Sequence, residues 1–379
     1  MQPIAIQINQ QHDEEKNPIF TPVSNIDDHQ NSASDAVKWR LAKAALQNAC
    51  AVQHETVAHL GACHLVIDPM VIAANRQLHT HHPLLVLLKP HFRYTLQINN
   101  GALHSLIVPG GVVSSVVSST LEGSAKMIVD AHSKWLFDAQ IPTRLFSDRG
   151  VGEDDLPHFP FREDTLDIWK AIHNYVQRYL QIYYSADKEQ AKKNMLEDNE
   201  LQAWVNEMVN ARCAATKGMQ GLTKTGDESQ PFLLDDFDYY VDVIALIIYT
   251  ASAQHASVNY AQYPLMTYIP SVSGTLYREP PTASMMLTEE DYISWLPPLD
   301  VALYQVSFGY LLSGVQYDKL GHYDCDDNVY FIDEKAKQVN REFQKALNLV
   351  ESSIEQRNKQ RAFVYEFQLP SKIPNSISI

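Results

Sequence analysis

The stretch His54-Glu-Thr-Val-Ala-His59-Leu-Gly-Ala-Cys-His64 decides how the rest of the chain is read. Its three histidines are spaced by five. In an ordinary α-helix five residues turn through roughly 500°, which leaves neighbours about 140° apart around the axis and unable to meet one ion easily. A helix widened to i→i+5 bonding brings them close to one face, and such π-turns are found mostly at functional sites. The spacing therefore predicts a distorted helix at a metal. The rival is a zinc protease, because His54-Glu55 begins like the His-Glu-x-x-His motif that sets two ligands one α-turn apart. Here the next histidine comes one residue late. A row of polar and core histidines on one long helix is the third reading that the triplet leaves open.

Outward from this stretch the text is mostly helical. Eight of the 15 histidines lie between His54 and His104. Upstream, a helical pattern starts after Ser34 or Asp35, either a suitable N-cap, and runs through Val37, Leu41, Ala44, Ala45 and Cys50. Downstream, Asp68-Pro69 interrupts or restarts it. Residues 81–117 carry short apolar runs broken by Pro83, Pro90, Asn99-Asn100-Gly101 and Pro109-Gly110-Gly111, which read as loops and one short strand. Helices return over 166–184 and 201–209, then as a long apolar helix over 236–262 stopped by Pro264. The run 301–312 reads as a buried helix. Ile332, Val339, Phe343, Leu347, Val350 and Ile354 mark one face of a long amphipathic helix. The fold class expected is mainly α, with minor β content.

On the helix of 236–262, His255 and Asn259 stand four apart in an apolar segment that includes Val243, Ile244, Ile247 and Ile248. A buried polar pair needs a partner, either each other or something they hold together. With the first cluster they offer up to four neutral nitrogen or oxygen donors and no thiolate, a set suited to a borderline metal such as iron.

Composition bounds the rest. The chain has 379 residues, 45% hydrophobic and 20% charged, too apolar for a disordered chain. Its net charge of −15 repels phosphate backbones and anionic headgroups, so nucleic acid is not an expected partner. The four cysteines, Cys50, Cys63, Cys213 and Cys325, include no close pair, which fits a reducing, cytoplasmic setting. Residues 1–35 are polar and are expected to form a loose arm, or a loop packed over something, outside the core, leaving 36–379 as the folded domain. No apolar run is expected to reach the ~18–20 residues of a membrane span, since Asp242 interrupts the best candidate.

Taken in order, several motifs resemble the lipoxygenase family of non-haem iron dioxygenases. Trp39-Arg-Leu-Ala-Lys43 leads into the histidine stretch. Ile72-Ala-Ala-Asn-Arg76-Gln-Leu78 and His82-Pro-Leu-Leu-Val-Leu-Leu-Lys-Pro-His91-Phe-Arg93 follow. His255-Ala-Ser-Val-Asn259-Tyr-Ala-Gln262-Tyr-Pro264 and the terminal Ile373-Pro-Asn-Ser-Ile-Ser-Ile379 complete the series. The resemblance implies a lipoxygenase-like helical catalytic domain around one buried non-haem iron cycling between Fe2+ and Fe3+. It assigns the ligands as His59, His64, His255, Asn259 and the main-chain carboxylate of Ile379, with His54 outside the set. Glu55 and Gln262 stand where the family has polar residues linking the substrate cavity to the Asn ligand. Leu106 and Val113 align with cavity positions, and Ala102 with the position whose Ala or Gly biases where dioxygen adds, Ala resembling the S-type enzymes.

The activity implied is dioxygenation of a polyunsaturated fatty acid to its hydroperoxide, with no catalytic side chain beyond an iron-bound hydroxide. A hydroperoxide isomerase at the same iron, or an inactive iron-binding scaffold, are the alternatives. Fatty acid and dioxygen are the partners implied, with transient membrane contact through substrate supply and a monomeric state expected. Departures from the family pattern are Leu103 for the usual Arg, Cys63 for Thr or Ser, and Asp68 for the common Glu. The chain is also short, since eukaryotic members carry a β-sandwich and several helices before the equivalent of Trp39.

Overall fold

The computed structural model describes residues 3–23, 29–210, 212–213, 216–217, 222, 233–323 and 330–379. Two compact units make up the chain. The first comprises Met1–Ala58, Ala102–Lys126 and Tyr260–Gly314, the second His59–Gly101, Met127–Asn259 and Val315–Ile379.

The second unit is a helical core. Helix α8 (Pro160–Tyr184) turns Ile168, Ile172, Val176 and Leu180 inward at four-residue spacing, and all four are fully buried. Helix α11 (Phe237–Tyr249) packs on it and is apolar nearly all round, as a central helix must be. The Asp236 side chain caps α11 by accepting the N–H of Tyr239. Helix α16 (Glu334–Asn358) lies along α8 through Val339, Phe343, Leu347 and Ile354, with Phe343 stacked on Tyr175 at 4.3 Å between centroids. Asp164, fully buried on α8, accepts from Arg361 at 2.7 Å and from Arg357 Nε at 3.0 Å. Helix α10 (Asn199–Asn210) covers helix α2 (Val66–Gln77), where the Trp204 indole N–H donates to the Met70 carbonyl.

In the first unit, helix α1 (His29–Gln53) packs on helix α14 (Glu289–Trp295) through Val37, Leu41, Tyr292 and Trp295. Thr288 and Asp291 start α14 with a reciprocal capping box. Asn48 binds the carbonyls of Ser273 and Gly274 and accepts from Ser118. A side chain at Gly274 would run into the Val116 carbonyl, so that backbone approach requires glycine.

Several expectations need correction. Ser34 does not cap α1, which is already helical at His29; its hydroxyl instead bonds Met285 and Leu287. The polar N-terminal stretch is not outside the core, because strands β1 (Ile6–Gln7) and β2 (Ile19–Phe20) pair antiparallel and bury Ile6 and Phe20 against Ala42. Residues 81–117 are largely helical: α3 (Pro83–Leu88), a 3-10 turn Lys89–Phe92, α4 (Thr95–Ser105) and α5 (Val112–Val116). Pro83 and Pro90 sit in first-turn positions, where a missing N–H costs nothing, so prolines read as breaks are starts. Pro69 likewise lies inside α2, just after a widened turn that relieves its ring of the usual clash. Pro264 falls within the short helix α13 (Gln262–Met266), and the preceding helix ends at Asn259.

Helix α15 (Leu299–Ser313) has no buried residue, contrary to its apolar text, and leaves Leu303, Tyr310 and Leu311 more than half exposed. Ile332 is 89% exposed and precedes the amphipathic helix. The membrane-length expectation also fails by composition alone. Ser32–Gln77 and Phe237–Met266 are long and apolar enough, but 83% of the most apolar 18-residue stretch of the latter is buried within the protein, where its apolarity is used. Cys325 and the side chain of Cys213 lie outside the described residues.

Candidate metal centre

The helix predicted to be distorted is a π-helix over His54–Leu65, continuous with α1 and α2. It turns two of its histidines inward together. His59 and His64 approach with Nε2 atoms 3.1 Å apart, and His255 brings its Nε2 within 3.1 Å of His64 and 3.4 Å of His59. All three are buried, and among the described residues they are the group of histidine, cysteine and acidic side chains able to hold a metal. His54 does not join them; its Nδ1 faces the Glu55 carboxylate at 3.1 Å, so no His-Glu-x-x-His pair forms.

A second π-helix, Thr250–Gln254, aims His255, and the spacing of residues gave no warning of it. Its only legible mark is a run of small residues, Thr250-Ala-Ser-Ala253, in an otherwise bulky helix. Both widened segments have a carbonyl taken by a distant side chain in the second unit. His132 Nε2 donates to the Gly61 carbonyl at 2.9 Å, and Gln368 donates to the Ala253 carbonyl at 2.8 Å.

The donor set fits a metal ion. Three imidazole nitrogens ~3.0–3.4 Å apart are what ~2.1 Å bonds meeting at ~90–110° demand. Burial, then the neighbouring His64 and His59 rings, hold His255 well below the ordinary imidazole range, which keeps it neutral and able to ligate. Its Nδ1 is buried without a hydrogen-bond partner. His64 is braced instead: its Nδ1 meets Asn99 Oδ1 at 2.7 Å, and Asn99 in turn reaches Asp68 at 2.6 Å. Burial pushes the Asp68 carboxyl up to about 6, against the pull of the Asn99 donor. In the sequence Asp68 stands out as a departure from the family pattern and as part of a helix break, and Asn99 reads as part of a loop, so neither is legible as a brace for His64.

The other candidate residues fall as follows. Asn259 ends helix α12 (His255–Asn259) one turn from His255 and is fully buried. Ile379 closes a tail whose residues Ile373, Asn375, Ser376, Ile377 and Ser378 are buried. The tail is tied down by His91 Nδ1 donating to the Asn375 carbonyl at 2.7 Å and by Ser376 Oγ donating to the Arg93 carbonyl. Gly321, at φ +81°, donates its N–H to Asn375 Oδ1.

In the first unit Glu55, Val113 and Gln262 share the wall of a cavity of about 100 Å³ with Val112, Val116, Met266 and Phe308. On that measure a water needs ~10–15 Å³, so the space admits a run of chain carbons. Ala102 and Leu106 are not on this wall among the described residues; the Leu106 carbonyl accepts from Val113, and Ala102 lies in α4.

A mainly helical chain built round a buried three-histidine centre on π-helices is one class of protein, and comparison with known proteins says which. A lipoxygenase family model matches residues 1–369. The chain is 32% identical over its whole length to the polyunsaturated fatty acid lipoxygenase ALOX8 of Mus musculus, covering 52% of that protein. It is equally 32% identical to the linoleate 9/13-lipoxygenase of Pseudomonas aeruginosa, again covering 52%. Among solved structures, coral 8R-lipoxygenase matches all of this chain with a TM-score of 0.85 at 27% identity, over 53% of its own length. A lipoxygenase variant crystallised anaerobically with arachidonate matches with a TM-score of 0.85 at 27% identity, over 52% of its length. The chain belongs to the lipoxygenase family. It spans about half the length of the curated relatives it matches.

Proposed function

We propose that this chain binds one non-haem iron through His59, His64 and His255, with Asn259 and the main-chain carboxylate of Ile379 as further ligands, and dioxygenates a polyunsaturated fatty acid to its hydroperoxide. The observation that carries the reading is the convergence of three buried Nε2 atoms within 3.4 Å, in a family whose members are fatty acid lipoxygenases. Iron held there supplies the one-electron chemistry for taking a hydrogen atom from the carbon between two cis double bonds.

The chain's own residues do the rest. The three imidazoles and the Asn259 amide are neutral, so a single carboxylate leaves the ion a net positive charge and a strong pull on electrons. Val112, Val113, Val116, Met266 and Phe308 offer an apolar wall to a hydrocarbon chain and exclude water from it. Glu55, Gln262, Thr267 and Gln305 are the polar side chains on that wall, and Glu55 stands four positions before His59 in the sequence. Dioxygen then adds to the substrate-centred radical, at a position that Ala102 is proposed to bias.

The test is metal analysis of the purified chain together with dioxygen uptake on linoleate and the rise of conjugated-diene absorbance. One iron per chain with uptake is the result expected. Iron without uptake would leave an iron-binding scaffold, and turnover confined to added hydroperoxide would make the chain an isomerase.

A further inference from the structure

Asn99 is 1% exposed, and every polar atom of its side chain is engaged. Its Nδ2 donates to Asp68 Oδ1 at 2.6 Å and to the His64 main-chain carbonyl at 2.9 Å. A side-chain amide can be turned either way round, but two acceptors on one side commit its NH2 there. Oδ1 is then left facing His64 Nδ1 at 2.7 Å. That oxygen can only accept. His64 must therefore carry its hydrogen on Nδ1 and keep the lone pair on Nε2, the atom that faces His59 and His255.

We propose that Asn99, locked in orientation by Asp68, is a positioning residue that sets the tautomer of His64 and thereby presents Nε2 as a metal ligand. This rests on the metal-binding reading above. The chain of control runs from a carboxylate acceptor to an amide orientation, then to a ring tautomer and a lone pair. Asp68 acts here as an acceptor, so an oxygen at that place matters more than its charge. His255 lacks such a brace, since its Nδ1 has no partner.

Two measurements on the full chain test this. In the metal-free protein, nitrogen NMR of labelled histidine should give His64 a protonated Nδ1 and an unprotonated Nε2. Asn99→Leu should mix the two tautomers and lower affinity for added ferrous ion about 10–100-fold, the usual effect of losing a ligand's outer partner. Asp68→Val, milder because Asp68 is only partly buried, should move both readouts the same way. Asp68→Asn keeps an acceptor oxygen and should restore both. Hydrogen on Nε2 in the wild type, or unchanged ferrous affinity in both Asn99→Leu and Asp68→Val, would overturn the proposal. A wild-type chain that takes up no ferrous ion fails the functional reading alone, and the nitrogen shifts still decide the tautomer.

Discussion

His255 and His54 illustrate how little a residue's type says without its surroundings. The first is fully buried between two other rings, the second quarter-exposed beside a carboxylate. His255→Ala removes one of the three imidazoles that would share the ion, so ferrous affinity should fall by more than the ~100-fold that marks loss of an outer partner. His54→Ala should leave metal content near that of the wild type. Metal analysis after dialysis reads both, and retention of metal by His255→Ala with loss in His54→Ala would reverse the assignment. At this scale the sequence was most readable where a period conflicted with a helix. Five-residue spacing cannot bring ligands together on an α-turn, so a metal reading of the triplet required a π-turn, while a row of core histidines did not. Asn99 carried no such conflict and stayed hidden, because an Asn-Asn-Gly run is ordinary turn chemistry unless something distant needs the amide.

At the scale of elements, the tail from Ile373 to Ser378 depends on a histidine. His91 is fully buried and donates to the Asn375 carbonyl, and burial depresses it from 6.5 to about 4. A lowered folded value means that the unfolded chain takes up the proton first. The stability contributed by neutral His91 is full above pH 6.5 and is lost as the pH falls toward 4. Its size is up to about 3 kcal/mol. Amide exchange over 373–378 should therefore lose protection between pH 6.5 and 4, and His91→Gln, which still donates but does not titrate there, should flatten that dependence. Protection unchanged down to pH 4 would refute the role.

Helices with one clear apolar stripe, α8 and α16, were legible for the reason that makes them stable, burial of that stripe. The short helices of 83–116 were not, since prolines at helix starts look like prolines in loops until the packing is known. Helix α15 misled in the opposite sense: an apolar text was taken for burial, and apolar residues also face outward.

For the whole molecule, the ion cluster that joins α8 to α16 and the segment after it holds a fully buried carboxylate, Asp164. Asp164→Ala would leave Arg361, whose side chain is only 10% exposed, with Glu163 as its remaining carboxylate, and should destabilise by about 3 kcal/mol, the lower end for breaking a buried pair. Asp167→Ala, at a side chain 41% exposed, should cost under ~1 kcal/mol. Urea unfolding of the two variants compares them directly, and equal midpoints would show that the buried carboxylate contributes no more than the exposed one.

The triad also joins places far apart along the thread. His64 and His255 are separated by 191 residues. An ion held between them would act as a clip that closes a very long loop, and closure of that length takes roughly 5 kcal/mol of freedom from the unfolded chain. Iron supply would then govern how much of the protein persists as well as how fast it turns over. In a cell short of iron, the unclipped chain would open more often, meet proteases more often, and be cleared.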